Sequence, residues 1–346
     1  MTDNLSLLLP LLACPVHGTE LQREGVQLAC ERGHRFPVVH GVPVLLRDDV
    51  ANTLGVASES LRLAHLNGVD ANGDPYFTES LGLSDSEKQQ VRSDIAQNRG
   101  PLDPVVSYLV GATNGILYKH LIGSLGEYPI PVLPMTPGNG EYLLDVGCSW
   151  GRWSIAAAKL GYYPIGIDPS LGAVLAAKRL SARLGLPFAG VVGDARFLPF
   201  KPGVFGAAHS YSVLQHFSKP DAGLALTEIK RTLRAGGLFR IQMASAWGIR
   251  SIQHQASRNF REPSSFEVRY WSPVQLRRKF QEIFGDVHLS VDCYFGLGLQ
   301  ASDLRLMSKA KRALIQGSEL LKKLSVRIAP LKYIADSIVF EGTASV

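Results

Sequence analysis

An α/β fold, with a parallel sheet covered by helices on both faces, is predicted for this 346-residue chain. Three observations predict it. From Glu141 onward, short apolar runs alternate with helix-length segments, the order that βαβ units produce. Hydrophobic residues make up 46% and charged residues 19%, so a packed core can form and wholesale disorder is excluded. Glycines also cluster where a strand hands over to a helix, as in LLDVGCSWGRW, 143–153.

The elements follow in order. YLLDVG (142–147) reads as a strand and RWSIAAAKLG (152–161) as a helix. YPIGIDP (163–169) is a strand and SLGAVLAAKRLSARLG (170–185) a helix. FAGVVGDA (188–195) and GAAHSYSV (206–213) are strands, DAGLALTEIKRTLRAGG (221–237) a helix closed by glycines, and LFRIQMAS (238–245) a strand. A polar, basic stretch follows. SPVQLRRKFQEIFG (272–285) resumes a helix, with Ser272 as N-cap before Pro273. DVHLSVDCYF (286–295) is a strand, a basic helical insertion covers roughly 299–333, and IADSIVFEGTA (334–344) is the final strand. Ahead of this core lie a small module, 1–50, and a helical lid and linker, 51–140, that ends in the proline-rich EYPIPVLPMTPGNG. The core with its insertion is 141–346.

The first βα turn is where ligands of open α/β sheets bind. Gly147 and Gly151 allow close backbone approach, and the helix after them presents unsatisfied N–H groups. The G-x-x-x-G spacing is not the dinucleotide G-x-G-x-x-G, and no phosphate-loop lysine follows, which argues against NAD and ATP. Asp168 ends the second strand, where a carboxylate can accept both hydroxyls of a ribose. Asp194 ends the third strand within GDAR, placed to meet an adenine amino group.

Asp145-x-Gly147-x-x-x-Gly151, Asp168, Gly193-Asp194-Ala195 and the LRAGG before a strand together resemble the class I S-adenosylmethionine-dependent methyltransferases with a type 11-like core. The resemblance covers about 141–245 and extends to the strands near 286–295 and 335–344. It implies a Rossmann-like seven-stranded sheet whose last strand is antiparallel and inserted between its two predecessors. It also implies that the glycine turn holds the methionine moiety, Asp168 the ribose, and Asp194 with the Ala195 backbone the adenine. Ser149 stands where this family often has a third glycine. The cofactor would carry the reactive methyl, leaving the protein to align an acceptor and, for a hydroxyl, to supply a base. In HSYSVLQHFS, after the fourth strand, His216 is the candidate base, since histidine titrates near neutrality. The plain alternative is a histidine that caps or packs the next helix. No N/D-P-P-Y/F follows that strand, and neither Cys148 nor Cys293 has the setting of a pyrimidine-methylating nucleophile.

The N-terminal module pairs Cys14 with His17 and Cys30 with His34, twelve residues separating the pairs. Two such knuckles can close a structural zinc site. The alternative is buried cysteines with surface histidines. The segment resembles the zinc-ribbon-like activator subunits of tRNA and protein methyltransferases. It also resembles the ribbon of a bacterial 23S rRNA guanine-N1 methyltransferase, on whose ligand pattern the four residues fall, with His17 in place of a cysteine.

The charge is asymmetric. Arg250–Lys332 contains 15 Lys+Arg and 7 Asp+Glu, a surplus of 8 against +6 for the whole chain, so the remainder sums to −2. An acidic partner belongs to that third. Arg250, Arg258, Arg261 and Arg269 can grip an anionic acceptor. The insertion's apolar positions Leu306, Ala310, Leu314, Leu321 and Leu324 suit a helix packed on the sheet with its basic face solvated; a membrane surface or phosphates are the alternatives. Tyr108, Tyr118 and Tyr128 suit either core or acceptor pocket. LSLLLPLLACP lacks a basic flank and contains Pro10, so it reads as ordered structure and not a signal peptide. With four cysteines and no membrane-length apolar run, a cytoplasmic location is expected. The expected activity is methyl transfer to a small or medium-sized acceptor: a metabolite, natural product or glycolipid-like intermediate. The rivals are RNA methylation, which lacks a clean aromatic-plus-basic stripe, and a non-catalytic scaffold that activates another methyltransferase.

Overall fold

Strands form where β-branched and aliphatic runs meet glycine punctuation, and the computed structural model describes them within residues 4–51, 54–66, 74–97, 102–113, 116–122, 124–264, 267–296 and 301–344. The expected breaks at Gly73 and at 98–101, and the first two residues of the expected insertion (299–300), lie outside the described residues. The chain divides into two compact units, 1–204 and 205–346.

The first unit starts with helix α1 (Asn4–Leu8) and a 3-10 turn at Leu9–Leu11. Four short strands, β1 (Leu21–Glu24), β2 (Gln27–Cys30), β3 (Arg35–Val39) and β4 (Val42–Pro43), form an antiparallel sheet in chain order. Next come α2 (Gly55–His65), a 3-10 turn at Thr78–Leu81, α3 (Asp85–Ala96) and α4 (Pro104–Thr113). Ser84 caps α3 in a capping box with Glu87. The parallel core then follows: β5 (Tyr142–Val146), α5 (Arg152–Lys159), β6 (Tyr163–Asp168), α6 (Leu171–Arg183) and β7 (Ala189–Val192). β6 pairs in parallel with both β5 and β7. All four residues of β7 are buried, as expected of a parallel strand covered on both faces.

The end of the 1–50 segment shares an apolar core with the helices and sheet that follow it. Val39, Val42, Val44 and Leu46 share one cluster with Leu63 of α2, Leu171 and Val174 of α6, and Val192 of β7. Its chain also extends the sheet. Val44 bridges Val192 in parallel, and the Leu45 amide donates to the Val192 carbonyl at 2.7 Å.

The second unit contains β8 (Phe205–Ser210), α7 (Lys219–Thr232), β9 (Leu233–Ala244), α8 (Ile249–Ser257), α9 (Pro273–Phe284), β10 (His288–Cys293), α10 (Lys309–Ser325) and β11 (Ser337–Thr343). β8 and β9 are parallel, and β11 lies antiparallel between β9 and β10. The seven core strands β5–β11 belong to one mixed sheet. The expected inserted, antiparallel last strand is therefore present. One boundary differs from the sequence reading. The helix ends at Thr232, and LRAGG joins β9, because a bulge between Phe205 and Ala207 absorbs the extra residues on β9.

Candidate functional site

In the first unit the turn between β5 and α5 is built from three left-handed residues: Gly147 (φ 73°), Ser149 (φ 46°) and Gly151 (φ 84°). A Cβ at Gly151 would lie 2.8 Å from the Cβ of Ala177 on α6. That position therefore needs glycine for both conformation and space. The Gly147 and Cys148 amides both donate to the Ile167 carbonyl, at 2.8 and 3.1 Å. These two amides are spent inside the fold, and the turn itself presents bare backbone.

Asp168, at the end of β6, faces this turn. Its Oδ2 accepts the Ser149 amide at 3.0 Å and its Oδ1 the Ser170 amide at 2.9 Å. Burial raises its pKa to about 6, against the pull of those two amides and with a push from Asp145. A carboxylate offers about four lone-pair sites, so about half remain for a ligand. Asp145 is 2% exposed and accepts the Ser154 hydroxyl at 2.6 Å, which fixes the first turn of α5. Asp194 meets the guanidinium of Arg196 on both oxygens, at 2.7 Å to Oδ2 and 3.2 Å to Oδ1. Its Oδ1 also takes the Arg196 amide at 2.9 Å. The Gly193 amide donates to the Asp168 carbonyl at 3.1 Å, joining the ends of β6 and β7. Asp145, Gly147, Ser149, Gly151, Asp168, Asp194 and Ala195 thus lie at or just beyond the carboxyl ends of three adjacent strands, with Ser149 joined to Asp168.

Sequence reasoning missed the partners of these groups. Arg196 was visible in GDAR, but its pairing with Asp194 was not. Ser60 and Ser80 had no signal at all. Ser60 Oγ accepts the Leu171 amide at 2.9 Å and Ser80 Oγ the Gly172 amide at 2.8 Å. They dock α2 and the Thr78–Leu81 turn on the start of α6, three residues past Asp168. A Cβ at Gly172 would sit 2.7 Å from the Phe77 carbonyl, so that approach requires glycine. The three tyrosines of the expected lid segment are engaged. Tyr108 donates to Asp94 at 3.0 Å, and burial followed by that acid raises its pKa to about 12. Tyr118 is fully buried and accepts from Arg152 at 3.0 Å. Tyr128 accepts the Asp103 amide at 2.8 Å.

In the second unit, His216 closes a 3-10 turn (Leu214–His216) after β8. It is half-buried, and its carbonyl accepts Arg269 at 2.6 Å. The strained Ser212 (φ 59°) is braced by Gln242 Oε1, which accepts its amide at 2.6 Å and its hydroxyl at 3.1 Å. Gln242 donates to Ser337; Ser337 and Tyr211 each donate to buried Asp292 at 2.9 Å. One polar chain therefore crosses all four strands of this unit. The four arginines also have partners: Arg250, which lies in α8, on Gln253, Arg258 on the Val268 carbonyl, Arg261 on Glu267, and Arg269 on the His216 carbonyl. Burial pushes the Cys148 and Cys293 thiols well above their ordinary range, against a nucleophilic role.

The N-terminal cluster converges. The ligand atoms of Cys14, His17, Cys30 and His34 all lie within 4.8 Å of one another. Two similar knuckles bring them together. The Gly18 amide donates to the Cys14 carbonyl at 2.8 Å and the Gly33 amide to the Cys30 carbonyl at 2.9 Å, both glycines being left-handed. Cys30 Sγ is 3.8 Å from His17 Nδ1. A tetrahedral zinc would set such a pair about 3.6 Å apart. His34 Nδ1 is buried without a hydrogen-bond partner, which suits an imidazole facing a metal. Burial raises both thiols and leaves Cys14 above its ordinary value, whereas the His34 and Arg32 amides, with the Cys14 and Thr19 side chains, bring Cys30 below its own. Burial, then the neighbouring His34 and Arg32, lowers His17. Thiolate and neutral imidazole are the forms a metal binds.

Residues 143–237 match the family model described as a methyltransferase domain. Over 116 residues, 33% of its length, the chain is 28% identical to an uncharacterised methyltransferase of Synechocystis. The chain spans about half the length of that relative, 51%. Among solved structures, an S-adenosylmethionine-dependent methyltransferase of Methanosarcina mazei matches at a TM-score of 0.46 and 16% identity, over 63% of this chain and 100% of that one. Phosphoethanolamine N-methyltransferase 2 of Haemonchus contortus, in complex with S-adenosyl-L-methionine, matches at 0.43 and 16%, over 77% and 61%. No helix among the described residues is long and apolar enough to cross a membrane.

Proposed function

We propose that the chain transfers the methyl group of S-adenosylmethionine to a small or medium-sized acceptor. The observation that carries this reading is Asp168: a carboxylate oriented by two amides against a left-handed glycine turn, inside the segment that matches a methyltransferase domain. The cofactor, when bound, supplies a methyl group on a sulfonium, already activated for transfer. The residues supply position. Gly147, Ser149 and Gly151 give the methionine end close backbone contact. The remaining lone pairs of Asp168 accept the ribose hydroxyls. The adenine meets the Ala195 segment, with Asp194 held in place by Arg196. His216 takes a proton from a hydroxyl acceptor.

The N-terminal cluster holds a structural zinc ion through Cys14, His17, Cys30 and His34, and so ties residues 12–34 to a module whose valines are already in the shared core. The domain division 1–50, 51–140 and 141–346 is part of the same reading, with the middle segment as lid.

Calorimetry tests the cofactor. Titration of S-adenosylmethionine or S-adenosylhomocysteine into ligand-stripped, folded protein should give saturable heat, and its absence for both would refute the reading. Transfer of labelled methyl groups into fractionated cell extract should then mark a small-molecule fraction; label in RNA would replace that acceptor class.

A further inference from the structure

Helix α10 is amphipathic, yet it turns its apolar side outward. The residues it buries are Ile315, Ser318 and Ser325. Leu314 and Leu320 are 54% and 59% exposed, and Leu324 is exposed as well. At a helical 100° per residue these three leucines share a stripe with Ala310 and Ala313. The sequence reading expected Ala310, Leu314 and Leu324 to be packed, whereas all three are exposed. The reason lies in polar contacts at the end of β10. Ser318 Oγ accepts the Tyr294 amide at 2.9 Å and donates to the Tyr294 carbonyl at 3.3 Å. That pair of bonds selects the serine face as the inward one. Beyond the helix the apolar edge continues through Val326, 78% exposed, and Ile328.

Bases flank this edge. From Arg305 to Lys332 there are eight Lys+Arg and one acid, Glu319. Lys309, Arg312, Lys323 and Arg327 are all exposed, and Glu319 lies 3.8 Å from Lys322. The composition selects the occupant. Protein interfaces favour aromatic side chains and arginine and are depleted in lysine. This helix has four lysines and no aromatic residue. An anionic bilayer rewards what is present: aliphatic side chains entering the acyl boundary, and lysines beside phosphate headgroups. We propose that α10 and the 326–328 edge seat this protein on an anionic membrane surface, lying in its plane without crossing it. This inference does not depend on the methyltransferase reading.

The test is co-sedimentation of the full chain with vesicles of phosphatidylcholine alone or with about 30% phosphatidylglycerol, at about 0.1 M salt. Partition onto the anionic vesicles should be at least about tenfold stronger. L314S/L320S/L324S should lose about tenfold of it while melting like the parent, because the leucines are exposed. K309E/K323E/R327E should bring anionic vesicles down to the phosphatidylcholine level. Equal partition onto both vesicles overturns the proposal, as does a serine variant that binds like the parent. Self-association that the serine variant abolishes, with no vesicle binding, would assign the face to a second copy instead.

Discussion

The glycine turn after β5 and the Cys14/His17/Cys30/His34 cluster lie in the same unit but are made from different material. The turn is backbone: three left-handed residues, two amides on Ile167 and a third on Asp168. The cluster is side chain: four donor atoms brought together by two short knuckles on a thin antiparallel sheet. A backbone site tolerates a changed side chain if the new residue can hold the conformation, as Ser149 does at φ 46°. A donor site tolerates only another donor, and a histidine at position 17 meets that condition.

Substitutions can break this contrast. The largest effect should come from the metal. Purified protein should contain one zinc per chain by elemental analysis, and chelation or C30S should cost roughly 3–5 kcal/mol in denaturant melts. That is less than the roughly 10–16 kcal/mol of free-standing zinc modules, because Val39, Val42 and Val44 stay buried in the shared core. Melts indifferent to chelator would reduce the cluster to a coincidence of packing. Next comes G151A. Its Cβ would meet Ala177 at 2.8 Å in a left-handed backbone, so a loss of about 2–4 kcal/mol is expected. A milder loss would mean that α6 gives way.

Asp168 gives a smaller, pH-dependent effect. Its pKa is raised from 3.8 to about 6, so the folded state binds the extra proton between these values. Stability is therefore lost as pH rises through that window, and the loss is complete above about 6. The residue keeps some solvent contact, so we expect D168N to stabilise the ligand-free protein by only about 1–2 kcal/mol at pH 7.5, with no gain below pH 4. The same variant should weaken S-adenosylmethionine binding by about tenfold or more. A gain that persists in acid would place the cost elsewhere. The smallest effect is S149G, which keeps the amide bond to Asp168 and relieves the left-handed serine, offset by greater chain entropy in the unfolded state. Thermal melts should show a net gain of about 0.5–1 kcal/mol.

Much of this was legible in the residues. Period and punctuation located β5, β6 and β7 within a few positions, and the Cys/His spacing named the cluster that converges. LRAGG misled, because a glycine pair closes a helix and also permits a bulged strand start. Asp194 was visible as a strand-end acid, but not as the partner of Arg196, since an i,i+2 pair meets only in particular turns. Ser60 and Ser80 were invisible because capping from 90 or more residues away leaves no local pattern.

By itself the sequence determined which segments alternate, where glycine must turn the chain, and which donors recur at knuckle spacing. These are local properties, set by side-chain period and backbone freedom within a few residues. Tertiary structure alone decided that the N-terminal valines enter the core of α6, that Asp168 is held at depth between two amides, and that α10 faces its leucines outward. Each depends on what lies across a gap in sequence, where burial and long-range hydrogen bonds outweigh local preference.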